Sequence, residues 1–298
     1  MTISVEPFQL APVLVTGALY ARRASTLSGT PRAVPRLRQA SFYCGLALIA
    51  ASVLLLGELA DELFWAHMAE HLLLADIAAL LIVLGLTGPM LAPLLRLGAF
   101  GILRTLAHPA VALPLWALNL YLWHLPVLHE AAVRHGGVHA LQHMAFIAFG
   151  ANVWMCLFGP LPSPAWFGTA AKAGYIIAVR LVSAVLANAL LFGGDSFYDV
   201  YRAGEAAHSI SPAADQNAAG AIMMVEESIL TICLFGWLFL RAARESDERQ
   251  ELLDLAGRRG VELDPRRVQR AVAAGRGEQL RERIESASSG GDLSGSPP

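Results

Sequence analysis

Histidine carries the chemistry most visible in this chain. Seven of its nine histidines fall in two short windows. His67 and His71 stand in W-A-H-M-A-E-H, and His124, His129, His135, His139 and His143 form the second window. Imidazole is the commonest side-chain metal ligand. Residues four apart share a helix face, so His67 pairs with His71 and His139 with His143. His135 extends the second stripe by a turn if its helix starts early. His124 lies in W-H-L-P, two residues before Pro126, which should loosen or end a helix there. A lone interfacial histidine is more often a hydrogen-bonded or headgroup contact, and His129 and His208 are read that way. The two i, i+4 pairs and His124 are read together, as one metal site.

These residues sit where apolar segments meet polar loops. The chain has 298 residues, of which 55% are hydrophobic and 15% charged, and its mean hydropathy is +0.51. A soluble domain carries about 25% charge. Seven apolar stretches approach the roughly 20 residues needed to cross a bilayer. They run approximately 4–20, 41–57, 64–86, 109–127, 138–161, 170–193 and 218–240. The first is the weakest, being short and carrying Glu6 and Pro12. It has no basic leader and no clear small-residue cleavage site, so it is read as a span and not a signal peptide. The expected fold is all-α, a polytopic membrane protein of seven transmembrane helices.

Loop charge orients the helices, because basic residues mark the cytoplasmic side. Arg22, Arg23, Arg32, Arg36 and Arg38 follow the first span. Arg96 and Arg104 separate the third and fourth, Lys172 precedes the sixth, and Arg241 and Arg244 end the seventh. The alternate loops are acidic or neutral: Glu58, Asp61 and Glu62, then Glu130 with Arg134, then Asp195, Asp199, Glu205 and Asp215 against Arg202. This places the N-terminus outside, the C-terminus in the cytoplasm and both histidine windows at the outer face. Only His108 faces the cytoplasm. The expected location is the bacterial inner (plasma) membrane, crossed several times, with the lipid bilayer as the first partner. A site at that face is expected to be interfacial and reachable, not buried.

Position also sorts the other ligands. Cys44, Cys156 and Cys233 fall in the cytoplasmic halves of their spans, so neither a thiolate site nor an external disulfide is expected. Met68 and Met144 each adjoin a histidine, and Met223 and Met224 lie in the outer half of the last span. Thioether with imidazole favours copper, above all Cu(I), over magnesium or calcium. Zinc is the alternative. Met68, Met144 and Asp215 are candidate additional ligands, although methionine also simply packs helices. Ionisable groups inside a bilayer are costly and tend to be paired or functional. Asp76, Arg180, Glu226 and Glu227 are such groups. At 1.5 Å per residue, Arg180 lies roughly 12 Å in from Lys172, and Glu226 roughly 16 Å in from Asp215. Across a core of about 30 Å these depths nearly coincide. A structural pair of Arg180 with Glu226 or Glu227 is the leading expectation, and a proton or ion path through the acids the sharper alternative.

Four pieces of the chain match a known family in order. They are H-M-A-E-H-L-L-L at 67–74, L-Y-L-W-H-L-P at 120–126, V-H-A-L-Q-H at 138–143 and D-Q-N-A-A-G-A-I-M at 215–223. With the span order, the chain resembles the seven-span CtaG-like family of cytochrome c oxidase assembly factors over roughly residues 5–243. The resemblance implies a role in forming active haem–copper oxidase, with copper supply as the usual proposal. By position it singles out His67, His71, His124, His139, His143, Asp215 and Gln216. Met224 departs from the tryptophan usual there in the family.

The expected organisation is a transmembrane domain over 1–243, a charged, partly helical cytoplasmic tail over 244–285 and a disordered end over 286–298. Asp264-Pro265 is a plausible helix start, with aspartate as cap and proline in the first turn. The tail is read as solvated, with docking to a partner subunit as the alternative. No phosphate-binding glycine loop, repeat or nucleic-acid-binding face is found. Three classes of function remain. The first is a non-enzymatic assembly factor that holds copper and passes it to oxidase subunits or other copper carriers. The second is an intramembrane metal-dependent hydrolase using the same histidines, with Asp215, Asp61 or Glu70 as base. The third is a haem-binding or ion-translocating membrane protein.

Overall fold

Proline, glycine and a few extended residues cut the apolar chain into helices. The structure is a computed structural model that describes residues 7–96, 100–164, 166–273 and 275–287, and among these residues all regular structure is helical. Helix α1 (Pro7–Leu27) is followed by α2 (Arg36–Glu62), which starts after Pro35. Leu63 is extended (φ −132°, ψ 131°) and turns the chain directly into α3 (Phe64–Leu72). A π-helical turn, Leu73–Ala78, and α4 (Ala79–Gly85) continue it. Two short helices follow, α5 (Gly88–Arg96) and α6 (Phe100–Leu106).

His108 caps α7 (Pro109–Trp123), its ring accepting from the Ala110 amide at 3.3 Å. Pro126 then opens α8 (Pro126–Arg134), and the chain bends by 70° between the two helices. Proline suits the first position of a helix, where its missing N–H would have no partner in any case. Next come α9 (Gly136–Phe158), α10 (Thr169–Phe192), a 3-10 turn at Asp199–Tyr201, α11 (Arg202–Ala207) and the long α12 (Pro212–Arg258). The chain ends in α13 (Pro265–Ala273) and α14 (Gly277–Ala287).

Five helical stretches among the described residues are long and apolar enough to cross a membrane: α2, α3 to α4, α9, α10 and α12. The bent α7–α8 pair makes a sixth if it counts as one span. Helix α1, expected as the first of seven, is not among them. Pro12 lies inside it and Arg22 and Arg23 sit in its last part. It still belongs to the bundle. Tyr20 stacks on Phe42 with centroids 3.7 Å apart, and its hydroxyl donates to the Gly85 carbonyl at 3.0 Å. Leu46, Ile49, Leu74 and Ala78 share that core.

Close helix contact fixes the geometry near the histidines. A Cβ on Gly150 of α9 would collide with the carbonyl of Ala75 in the π turn. Only glycine lets the two backbones approach that closely. The packing therefore holds α9 against the chain that carries His67 and His71. The chain divides into two compact units, residues 1–165 with 175–229, and residues 166–174 with 230–298. The second unit has its own core of Leu252, Ala256, Val268, Val272, Leu280 and Ile284. There Asp264 Oδ1 accepts from the Arg266 amide at 2.9 Å, capping α13.

Candidate metal centre

Helices α3 and α9 bring four histidines face to face. His67 and His71 lie 4.3 Å apart by ring centroid, and His139 and His143 lie 4.2 Å apart. Across the helices, His67 stacks on His139 at 5.1 Å, and His71 meets His143 edge-on at 5.4 Å. One ligand nitrogen each from His67, His71 and His139 falls within a mutual 4.8 Å. These four residues are between 0% and 7% exposed.

The bend after α7 adds His124, which ends that helix. Its Nδ1 stands 2.7 Å from the Leu120 carbonyl. A carbonyl only accepts, so Nδ1 carries the hydrogen, a tautomer assigned from that bond. Nε2 of the neutral ring is then bare, and it lies 3.4 Å from the Met68 sulfur. The two atoms form a soft nitrogen–sulfur pair beside the imidazoles.

His129 is the hydrogen-bonded histidine expected, but its partner is a tyrosine inside the protein. It is fully buried, with its ring 4.7 Å from His67 and 4.2 Å from Tyr198. Its Nε2 lies 2.8 Å from the Tyr201 hydroxyl. Burial first, then the nearby Tyr198 and Asp215, push the Tyr201 phenol well above its ordinary range. The hydroxyl therefore stays protonated and donates to His129. His208 is exposed and pairs with Glu62 at 2.7 Å. His135 is exposed and precedes α9, so it does not extend the stripe.

Two expected ligands are engaged elsewhere. Asp215 Oδ2 accepts from the Phe64 amide at 2.8 Å, and Oδ1 from the Trp65 amide at 2.9 Å. The first turn of a helix leaves such amides open, so Asp215 anchors the start of α3 to α12. It stands in neither group of close ligand atoms found among the described residues. Gln216 pins the preceding loop, accepting from the Phe197 amide at 2.8 Å and donating to the Asp195 carbonyl at 3.1 Å. Met144 is 52% exposed. One residue on from His143, it is turned roughly 100° off that face. It lines a cavity of about 320 Å³ with Leu46 and Ile147.

The site is also closed, where an unburied and reachable one was expected. Phe64, Tyr198 and Tyr201 are 1–2% exposed and pack around His67 and His129. The loop between α10 and α12 supplies the two tyrosines. Tyr198 donates to the His124 carbonyl at 2.8 Å, tying that loop to the bend. One edge leads outward: His139 Nδ1 lies 3.9 Å from Asp61, whose side chain is 57% exposed.

Two residues inside the chamber were not read as ligands from the sequence. Glu70 and Gln142 are fully buried, and Glu70 Oε2 lies 3.6 Å from His143 Nε2. Glu70 had entered only as a possible base. Its spacing of three from His67 was the signal that it shares the pocket. Gln142 offered none, since adjacency to His143 does not imply a shared face. Both ring nitrogens of His67 and of His71, both oxygens of Glu70 and the Gln142 amide lack hydrogen-bond partners. Roughly 90% or more of buried polar atoms have one. Orphaned donor atoms gathered in one pocket are what a metal ion satisfies, so the residues present fit such a group.

The intramembrane charges form a separate cluster. Arg180 Nη2 stands 3.8 Å from Glu227 Oε2, and Ser183 donates to Glu227 Oε1. Both oxygens of Glu226 lack a hydrogen-bond partner. Asp76 lies within electrostatic reach of Arg180 and Glu226.

These features define a polytopic helical membrane protein built around a closed histidine chamber. The chain belongs to the cytochrome c oxidase caa3 assembly factor (Caa3_CtaG) family, whose model matches residues 18–245. No curated protein and no solved structure matches it.

Proposed function

We propose that this assembly factor binds copper, chiefly as Cu(I), in the histidine chamber and supplies it to a haem–copper oxidase, catalysing no reaction itself. The chamber is taken to face outward in a bacterial inner membrane, where oxidase subunits or other copper carriers receive the ion. The observation that carries this reading is the set of orphaned nitrogens on His67 and His71 beside His139. Neutral imidazoles and a thioether suit a soft monovalent ion. The His124–Met68 pair supplies the thioether, and His143 adjoins the same pocket. Asp61 at the exposed edge can draw a cation toward His139. Aromatic cover over the other side shields the ion from water between loading and delivery.

His71→Ala should cut copper in the purified protein and leave its membrane level nearly unchanged. Oxidase activity in the host membrane should fall, and added copper should restore part of it. A zinc-dependent hydrolase would instead lose zinc and an ester or amide cleavage activity, with no copper rescue. Normal copper content in His67→Ala/His71→Ala would sink the copper reading.

A further inference from the structure

The chamber holds a second group of donors with different chemistry. Glu70, His139 and His143 each offer one ligand atom within a mutual 4.8 Å, and all three are buried. Glu70 is the unusual member. Its side chain is 1% exposed, and neither oxygen has a hydrogen-bond partner. A buried carboxylate without compensation is among the most costly arrangements in a protein interior.

The nearest candidate partner is His143, but 3.6 Å is too long for a hydrogen bond. It is close to the spacing of two ligands on one ion. Atoms each about 2.1 Å from a tetrahedral metal stand roughly 3.4 Å apart. His143 Nε2 is itself without a hydrogen-bond partner, as a ligand nitrogen must be. His139 belongs to this group and also to the three-imidazole group.

We propose that Glu70, His139 and His143 form a second metal position, one that takes a divalent transition-metal ion and shares His139 with the copper position. The inference rests on the histidine chamber being a metal site, but not on copper being its cargo. A carboxylate with two imidazoles suits a harder, doubly charged ion than three neutral imidazoles do. The anion of Glu70 offsets one charge of such an ion inside an apolar pocket. Sharing His139 makes the two positions alternatives for that ligand, so loading one weakens the other.

The test is a pair of titrations on the full-length protein in detergent, Co(II) followed by its visible absorption and Cu(I) by competition with a chelator. Glu70→Gln keeps the shape and removes the charge. It should weaken Co(II) by at least about tenfold and leave Cu(I) affinity unchanged. His143→Asn should also weaken Co(II), and that loss decides the matter if Glu70→Gln fails to accumulate. Wild-type Co(II) binding in these variants overturns the second position. Loss of both ions together in Glu70→Gln also overturns it, because one mixed site would then explain everything. His71→Ala separates the two readings. If it keeps Cu(I) while Glu70→Gln loses Co(II), the copper function fails and the divalent position stands.

Discussion

At the scale of single residues, the same type of side chain does different work according to what faces it. His67 and His71 are buried with nothing to bond to, whereas His129 is buried and served by Tyr201. The acids divide in the same way. Asp215 spends both oxygens on amides, Glu227 meets Arg180 and Ser183, and Glu70 and Glu226 meet no hydrogen-bond donor. The contact with Arg180 selects Glu227 as its partner. Arg180→Leu should therefore lower protein abundance, since breaking a buried pair costs about 3–5 kcal/mol in soluble proteins. Adding Glu227→Gln should recover part of the loss, and adding Glu226→Gln should not. Immunoblots of membranes carrying the single and double variants measure this. Equal recovery by both glutamines would contradict the assignment.

At the scale of elements, the site depends on how α3 begins and how closely α9 lies against it. Asp215 holds the first turn of α3, and Gly150 sets the contact between α9 and the π turn. Losing a helix cap costs about 1–2 kcal/mol. Asp215→Ala should accordingly reduce thermal stability in detergent while the folded fraction binds copper at the wild-type ratio. Copper lost in proportion to Asp215 occupancy, at unchanged stability, would restore it as a ligand. Gly150 was silent in the sequence, because a glycine inside an apolar run does not announce which backbone it will meet.

At the scale of the whole molecule, membrane orientation decides which compartment loads the chamber. Loop arginines predict that Ala203 lies outside and Glu262 inside. In a background with Cys44, Cys156 and Cys233 replaced, a cysteine at Ala203 should react with an impermeant maleimide in intact cells. One at Glu262 should react only after lysis. The reverse pattern would move the histidines to the cytoplasmic face and end the delivery proposal as stated. Gly98, a loop position on the expected cytoplasmic side, lies outside the described residues. The second unit, with its own apolar core, is a small helical body and not only a solvated tail.

Some of this was legible in residue order alone. Apolar length, histidines at a spacing of four, proline at a helix end and aspartate before proline are local signals. They act within a turn or two, so they identified the helices, the stripes on α3 and α9, the break at Pro126 and the start of α13. Tertiary structure decided what those signals cannot reach. Whether His129 meets lipid or Tyr201 depends on a loop some 70 residues away in the chain. Asp215 became a cap, and Glu70 an orphaned carboxylate, only when α12, α9 and α3 packed together. Burial and hydrogen-bond partnership are properties of the neighbours a side chain acquires on folding, and those neighbours lie far off in sequence.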